Sequence, residues 1–426
     1  MNRPLAIHGA TIVTGDDAGT LYVDGALLVD NGRIAALGPA ADLLARHAVA
    51  EQIDARGRVI LPGFANTHTH LPRVVARGIY EDLSPSHTPP FTGGLAPLPL
   101  PALSDDEERL MATLGALEAI RSGTTLLLEE GAHLERYAGA LADTGLRLVL
   151  CERAWDRARA SVGQPGPFEQ DTALAESGLA RIRDLHARWH GRVDGRVSVG
   201  AAAWAPDLCS PELLGRVRKL QDELDTVATI HLSQIWGEVA AIREQRGVTP
   251  VEYAARCGLL SPRLIAAHCR CMSGDEEVTL GTDNMAEDMV EVVRTAMFME
   301  RVRRADGRRP TPEQALTWAT RNGYRALGVP DGGWIAPGNR ADFIVVDFRR
   351  AHLTPALRPV ACFVHQGQAG DVESVMVDGR WLMRDRHVLT LDEPAIVAEA
   401  QRVARAAWAR LFAERPELQR PPGFVL

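Results

Sequence analysis

The chain has 426 residues, 46% of them apolar and 24% charged, enough for one large domain and a smaller companion. Its net charge of −8 gives no basic footprint for nucleic acid or an anionic membrane. No apolar run reaches the ~20 residues of a membrane span. Six scattered cysteines suit a reducing cytoplasm better than a disulfide framework, and "MNRPLAIHGATIVTG" lacks the apolar core of a signal peptide. Neither nucleic acid nor a membrane is therefore an expected partner. The only lysine, Lys219, sits mid-helix in "PELLGRVRKLQDELD", which argues against Walker-type phosphate loops and Schiff-base chemistry.

In chain order, the first sixty residues read as short strands and turns: "LAIHGATIVTG", "GALLVDNGRIAALGP" and "IDARGRVILPGF", punctuated by Gly-Asp, Asn-Gly and Arg-Gly. Amphipathic helices then alternate with apolar strands. "DEERLMATLGALEAIRSG" precedes "TTLLLEE", "YAGALADTG" precedes "LRLVLCE", and "SPELLGRVRKLQDELD" precedes "TVATIHLS". That alternation predicts βα units around a parallel sheet. The Pro- and Gly-rich stretch 83–104 reads as a long loop after the first barrel strand. Strand texture returns in "GNRADFIVVDF", "VACFVHQG" and "VESVMVDGRWLMRDRHVLTL", so the two ends read as halves of one small β-domain flanking the barrel.

The chemistry gathers at strand ends. In "VILPGFANTHTHLP" an apolar strand runs into His68-Thr69-His70, and alternate strand residues face one side, so both rings can reach one ion. His231 closes "TVATIH", His268 closes "RLIAAH", and Asp283 closes "VTLGTD". Barrel active sites are built at such carboxyl ends. Any one of these is more often a loop or core residue; the set points to a metal site. Cys269 and Cys271 form a weak zinc signature with no second cysteine pair. Glu287 and Asp288 read as the start of the helix in "EDMVEVVRTAMFMERVRR".

These motifs resemble the amidohydrolase superfamily, and within it the triazine-hydrolase/cytosine-deaminase-like branch. "GFANTHTH" matches its first barrel strand, "HLSQ…GEV" the fifth, "AAHC" the sixth and "GTDN" the eighth, while "APGNRADFIVVD" and "VMVDGRWLMRDRHVLTLDE" look like its closing β-domain. The resemblance implies a (β/α)₈ TIM-type barrel over 58–335. A small β-sandwich domain would come from 1–57 and 336–393, with a C-terminal helix and tail over 394–426. It implies metal ligands His68, His70, His231 and Asp283, a catalytic pair of Asp283 and His268, and one divalent ion, zinc or else iron. A glutamate-bridged pair of ions through Glu129 or Glu130 is the weaker alternative. The implied reaction is hydrolysis of a C–N bond in a small nitrogen-rich or cyclic substrate, and a homodimer is a family-level expectation.

The sequence also departs from that pattern. Gln234 stands where deaminases of the branch carry a proton-shuttling glutamate, and an amide cannot exchange protons at neutral pH. Glu238 one turn later is a candidate substitute, against an ordinary solvated helix residue. Trp204 replaces a substrate-contacting histidine and suggests a stacking wall, against plain core packing. Substrate contacts are therefore expected from Gln234, Trp204 and Glu238. Deaminase, ring-opening cyclic-amide hydrolase and catalytically silent metal-binding barrel all stay open. Finally, only fourteen residues separate His268 from Asp283. A βαβ unit takes ~30, so the seventh strand unit is missing, either omitted from this sequence or truly deleted. An intact mass clearly above 46.2 kDa would show omission.

Overall fold

The computed structural model describes residues 4–79, 99–158, 167–271 and 278–426. Five strands open the chain: β1 (Leu5–Val13), β2 (Leu21–Asp30), β3 (Arg33–Pro39), β4 (Glu51–Asp54) and β5 (Arg58–Pro62). Six more alternate with helices: β6 (Phe64–Thr69), β7 (Thr124–Gly131), β8 (Arg147–Ala154), β9 (Val197–Ala203), β10 (Ala228–Leu232) and β11 (Leu264–His268). The last four are β12 (Phe343–Asp347), β13 (Val372–Val377), β14 (Arg380–Arg384) and β15 (His387–Val388).

Strands β6 to β11 form one parallel sheet in sequence order. Every residue of β6, β8 and β10 is buried, as expected of strands covered on both faces. Their helices start on strong caps. Ser104 and Glu107 make a capping box before Asp105–Arg121, and Asp288 caps Met289–Arg304, the role its sequence position suggested.

The remaining nine strands, from both chain ends, join a single mixed sheet. The ends expected to make a sandwich are thus hydrogen-bonded to one another through β5 and β12. The boundary expected at residue 58 shifts to Gly63, because β5 pairs with β1 and β12 and not with the parallel strands. "RVILPGF" is one apolar run, and the division lies at its glycine. A Cβ on Gly63 would sit 2.1 Å from Thr125 Oγ1, so only glycine lets the chain pass between the sheets here.

The loop expected over 83–104 lies outside the described residues up to position 98, as does the helix start read at 273–277. From Val278 the chain takes an unusual path. Residues 280–283 run parallel along the free edge of β6: Thr67 N–H donates to Leu280 C=O, Asp283 N–H to His68 C=O, and His70 N–H to Asp283 C=O. The parallel sheet is therefore a nearly closed barrel. Among the described residues, a cleft of about 1070 Å³ lies between β11 and residues 278–283.

Candidate metal centre

The carboxyl ends of β6, β10 and β11 and the segment beside β6 bring His68, His70, His231, His268 and Asp283 together. The rings of His68, His70 and His231 lie 4.8–5.2 Å apart by centroid, and His268 lies 5.2 Å from both His68 and His231. Asp283 Oδ1 is 3.8 Å from His68 Nε2 and 3.7 Å from His70 Nε2. His268 and Asp283 hold φ of 71° and 67°, left-handed values that cost a non-glycine residue free energy and recur at functional sites.

Tautomers follow from the backbone. His70 Nδ1 is 2.7 Å from the Glu130 carbonyl, and His231 Nδ1 is 2.7 Å from the Trp204 carbonyl. A carbonyl only accepts, so both Nδ1 atoms carry the proton and both Nε2 atoms present lone pairs. Those two lone-pair atoms stand 3.1 Å apart. Burial, with neighbouring His68 next, pushes both rings' pKa well below the ordinary imidazole value, so neither supplies the cation that would reconcile them. Both nitrogens of buried His68 lack any hydrogen-bond partner, as does His268 Nε2. Burial opposes ionisation of Asp283, but the His68 and His268 rings outweigh it and hold the carboxyl below its usual range. Ligand atoms close enough to share an ion fall into three overlapping triads, His68 with His70 and Asp283, His68 with His231 and His268, and His70 with His231 and Glu130. Imidazoles and carboxylates around unpartnered, buried nitrogens are donors that fit a divalent ion.

The supporting residues were only partly legible. Glu130 and Trp204, whose carbonyls fix two of the histidines, are themselves joined by Arg153. Its guanidinium donates to both Glu130 carboxylate oxygens at 2.6 and 2.7 Å and lies 4.5 Å from the Trp204 ring centroid. The signal was a pair of charges inside apolar strands, Glu130 in "TTLLLEE" and Arg153 in "LRLVLCERA", since buried charges are found paired. Glu129 points elsewhere: it accepts from Thr69 Oγ1, the Leu71 N–H and Tyr137 OH, holding the backbone on both sides of His70.

Gln234 lies on the turn after β10, buried, with its Oε1 unpartnered. Glu238 is not a solvated helix residue. It is buried, and its carboxylate accepts the backbone N–H groups of Ser233 and Gln234 at 2.8 Å, so it holds the turn. Trp204 is half-buried against Trp155. Asn66 and Glu287 tie β6 to the neighbouring segment: Asn66 Nδ2 donates to Thr282 Oγ1 and Glu287 Oε2, and Thr282 N–H donates to Asn66 Oδ1. Lys219 is exposed near Glu223. Neither Cys269 nor Cys271 joins any group of possible ion donors among the described residues.

A Cβ on Gly281 would lie 2.8 Å from His68 N and 3.0 Å from His68 O, forcing 280–283 off β6. Gly281→Ala should weaken divalent-ion affinity about ten- to a hundredfold, read by competition with a chromophoric chelator. A second expectation concerns pH. Burial pushes Glu129 and Glu238 up to about 8 from an ordinary 4.5. The folded chain then keeps protons that the unfolded chain sheds, so this stability is lost as pH rises toward 8. Unfolded histidine is half protonated at pH ~6.5 and about nine-tenths neutral by pH ~7.5, so the histidines add little slope only above that. Urea midpoints of metal-free protein should fall from about pH 7.5 to 8.5, and fall less in Glu129→Gln.

The Amidohydrolase family pattern matches residues 59–280 and 271–382. The chain belongs to the amidohydrolase family. The two matched stretches overlap over 271–280, between the end of β11 and the segment beside β6. A short stretch, 25–48, also matches the bacterial imidazolonepropionase-like composite domain. The chain is 31% identical to a 5'-deoxyadenosine deaminase of Methanothermobacter thermautotrophicus over 446 aligned positions, 95% of this chain and 98% of that one. It is 32% identical to a 5-methylthioadenosine/S-adenosylhomocysteine deaminase of Pelotomaculum thermopropionicum over 94% of this chain and 98% of that one. By fold it is similar to a zinc-bound adenosine deaminase from Xanthomonas campestris (TM-score 0.83, 24% identity, 95% of this chain and 98% of that one). It is also similar to the zinc complex of atrazine chlorohydrolase from Arthrobacter aurescens TC1 (TM-score 0.80, 19% identity, 94% and 100%). With its deaminase-named relatives, this member of the amidohydrolase family is a hydrolase of carbon–nitrogen bonds other than peptide bonds. No helix among the described residues is long and apolar enough to cross a membrane.

Proposed function

We propose that the chain is a zinc-dependent aminohydrolase that releases ammonia from an amino-substituted purine nucleoside, with His68, His70, His231 and Asp283 holding the ion. The observation that carries this is the pair of buried, lone-pair-bearing Nε2 atoms of His70 and His231 at 3.1 Å, beside an unpartnered His68. The naming of relatives as deaminases of adenine nucleosides supports the substrate class. When bound, a divalent ion supplies Lewis-acid activation and a water acidified toward neutrality. Asp283 accepts the proton of the attacking water. His268, pushed by burial to about 4 and with Nε2 unpartnered, is neutral at pH 7 and donates or accepts one hydrogen bond at the reacting carbon's substituents. Gln234 orients the ring by its free amide oxygen, and the half-buried Trp204 offers a flat face for stacking.

The same reading makes the fold a (β/α)₈-type barrel without its seventh unit. The cleft beside β11, the split family match and about 40 alignment positions facing no residue of this chain support that reading. One observation favours a second reading, the silent metal-binding barrel: Gln234 cannot carry a proton to the leaving amine. The test is ammonia release by metal-loaded protein from adenosine, 5'-deoxyadenosine and 5'-methylthioadenosine, with cyclic amides alongside. Turnover of a nucleoside supports the aminohydrolase. Turnover of the amides alone points to ring opening, and no turnover by ion-loaded protein points to the silent barrel.

A further inference from the structure

At the end of the parallel sheet opposite the histidines, a pocket of about 500 Å³ opens beneath β9. Its wall combines Arg33 from the β2–β3 turn, Asp194 and Arg196 just before β9, and Arg340, Asp378 and Arg380 from the second half of the mixed sheet. Four guanidinium groups therefore face two carboxylates. Three of the four have close partners: Arg33 with Asp331 at 3.0 Å, Arg340 with Asp331 and Asp378 at 3.0 and 3.1 Å, and Arg380 with Asp194 at 3.0 Å. A guanidinium has five N–H donors, so each retains capacity for another acceptor.

Arg196 is different. It is only 5% exposed, its nearest carboxylate oxygen is on Asp194 at 3.8 Å, and its Nε has no hydrogen-bond partner. Burial, and then the Arg380 cation, depress its basicity, the opposite of what a paired arginine experiences. A buried, half-satisfied charge is costly, and with Asp331 counted beside Arg33 and Arg340 the four cations still outnumber their three carboxylates, which adds to that cost. An anion entering the pocket answers both. The walls are firm: Asp378 also binds the buried Arg147 at 2.6 Å, and its N–H donates to Asp342 Oδ1 at 2.7 Å.

We propose that this pocket binds a phosphate-type oxyanion, held by Arg196 and Arg380 with Arg33 and Arg340 at the rim. Planar, forked guanidinium groups match phosphate oxygens in pairs, which a single ammonium does not. The volume admits either free phosphate or the phosphoryl end of a larger molecule. The site is remote from the metal centre and independent of the reaction assigned to it.

The test is calorimetric titration at constant ionic strength with inorganic phosphate, pyrophosphate and adenosine monophosphate. Metal-loaded wild type and metal-free His68→Ala are both titrated, so that anion binding at the ion is separated from binding here. The expected result is binding of phosphate and pyrophosphate in both proteins. Arg196→Met and Arg380→Gln should each weaken it about tenfold, from loss of a charged hydrogen bond. Arg216→Gln, at an exposed pair with Glu176, should leave it unchanged. Adenosine monophosphate tighter than phosphate, with that gain lost in Arg380→Gln, would assign a phosphorylated nucleoside to this pocket; phosphate at least as tight would assign the free anion. Arg380 is largely exposed, so Arg380→Gln tests the site even if Arg196→Met does not fold. No binding at millimolar anion, or binding unaltered in Arg380→Gln, overturns the proposal.

Discussion

Asp283→Asn should lower kcat by about 10² to 10⁴-fold while leaving the fold intact, whichever substrate the protein turns over. The amide keeps an oxygen that can face the ion but no longer accepts a proton. The carboxylate is held in place by its surroundings: Asn284 Nδ2 donates to Oδ1 at 2.7 Å, and the backbone on both sides is tied to β6. Asn66, Thr282 and the fully buried Glu287 brace the same segment from behind. Rate at saturating divalent ion, beside a thermal melt, checks this. A variant that keeps its ion, its fold and more than a tenth of the wild-type rate would remove Asp283 from the chemistry.

Arg147→Met should be the most destabilising single change outside the metal centre, at about 3–5 kcal/mol. Arg147 stands at the foot of β8 with its side chain almost fully buried, and binds Asp342 at 3.0 Å and Asp378 at 2.6 Å. Tyr324 OH donates to the same Asp342 Oδ2 at 3.0 Å and meets Thr125 Oγ1 at 2.8 Å. The network joins the parallel sheet to the mixed sheet where they touch. Removing the cation leaves the buried Asp342 carboxylate without its ion-pair partner. Urea unfolding of Arg147→Met and of Arg147→Met/Asp342→Asn measures the effect. The double variant should recover part of the loss, because it removes the stranded charge as well.

The histidines of the candidate site were legible because they stand at the ends of the apolar strands β6, β10 and β11, and strand ends of a parallel barrel converge whatever the loops do. Asp283, read as a strand end, instead lies on a segment joined to β6 by an isolated bridge. His68 and His70 needed only the two-residue period of a strand. The short interval from His268 to Asp283 was equally legible as a conflict between chain length and barrel geometry. The boundary at Gly63 was not, because the apolar run through Pro62 carries no mark of which sheet takes it. Glu238 was misjudged as a solvated alternative because helical periodicity says where a residue lies and not which N–H groups precede its turn. The Arg153 link between Glu130 and Trp204 is a contact between neighbouring strands far apart in sequence. The arginine pocket draws on residues near 33, 196, 340 and 380, and no local pattern marks such an assembly.

The most direct test of the metal centre is elemental analysis of purified wild type beside His68→Ala, both after dialysis against a weak chelator. The expected result is about one zinc per chain in wild type and none in the variant, with both folded. Wild-type protein that holds no divalent ion, and takes none up on reconstitution, would contradict the metal centre and the hydrolytic reading built on it.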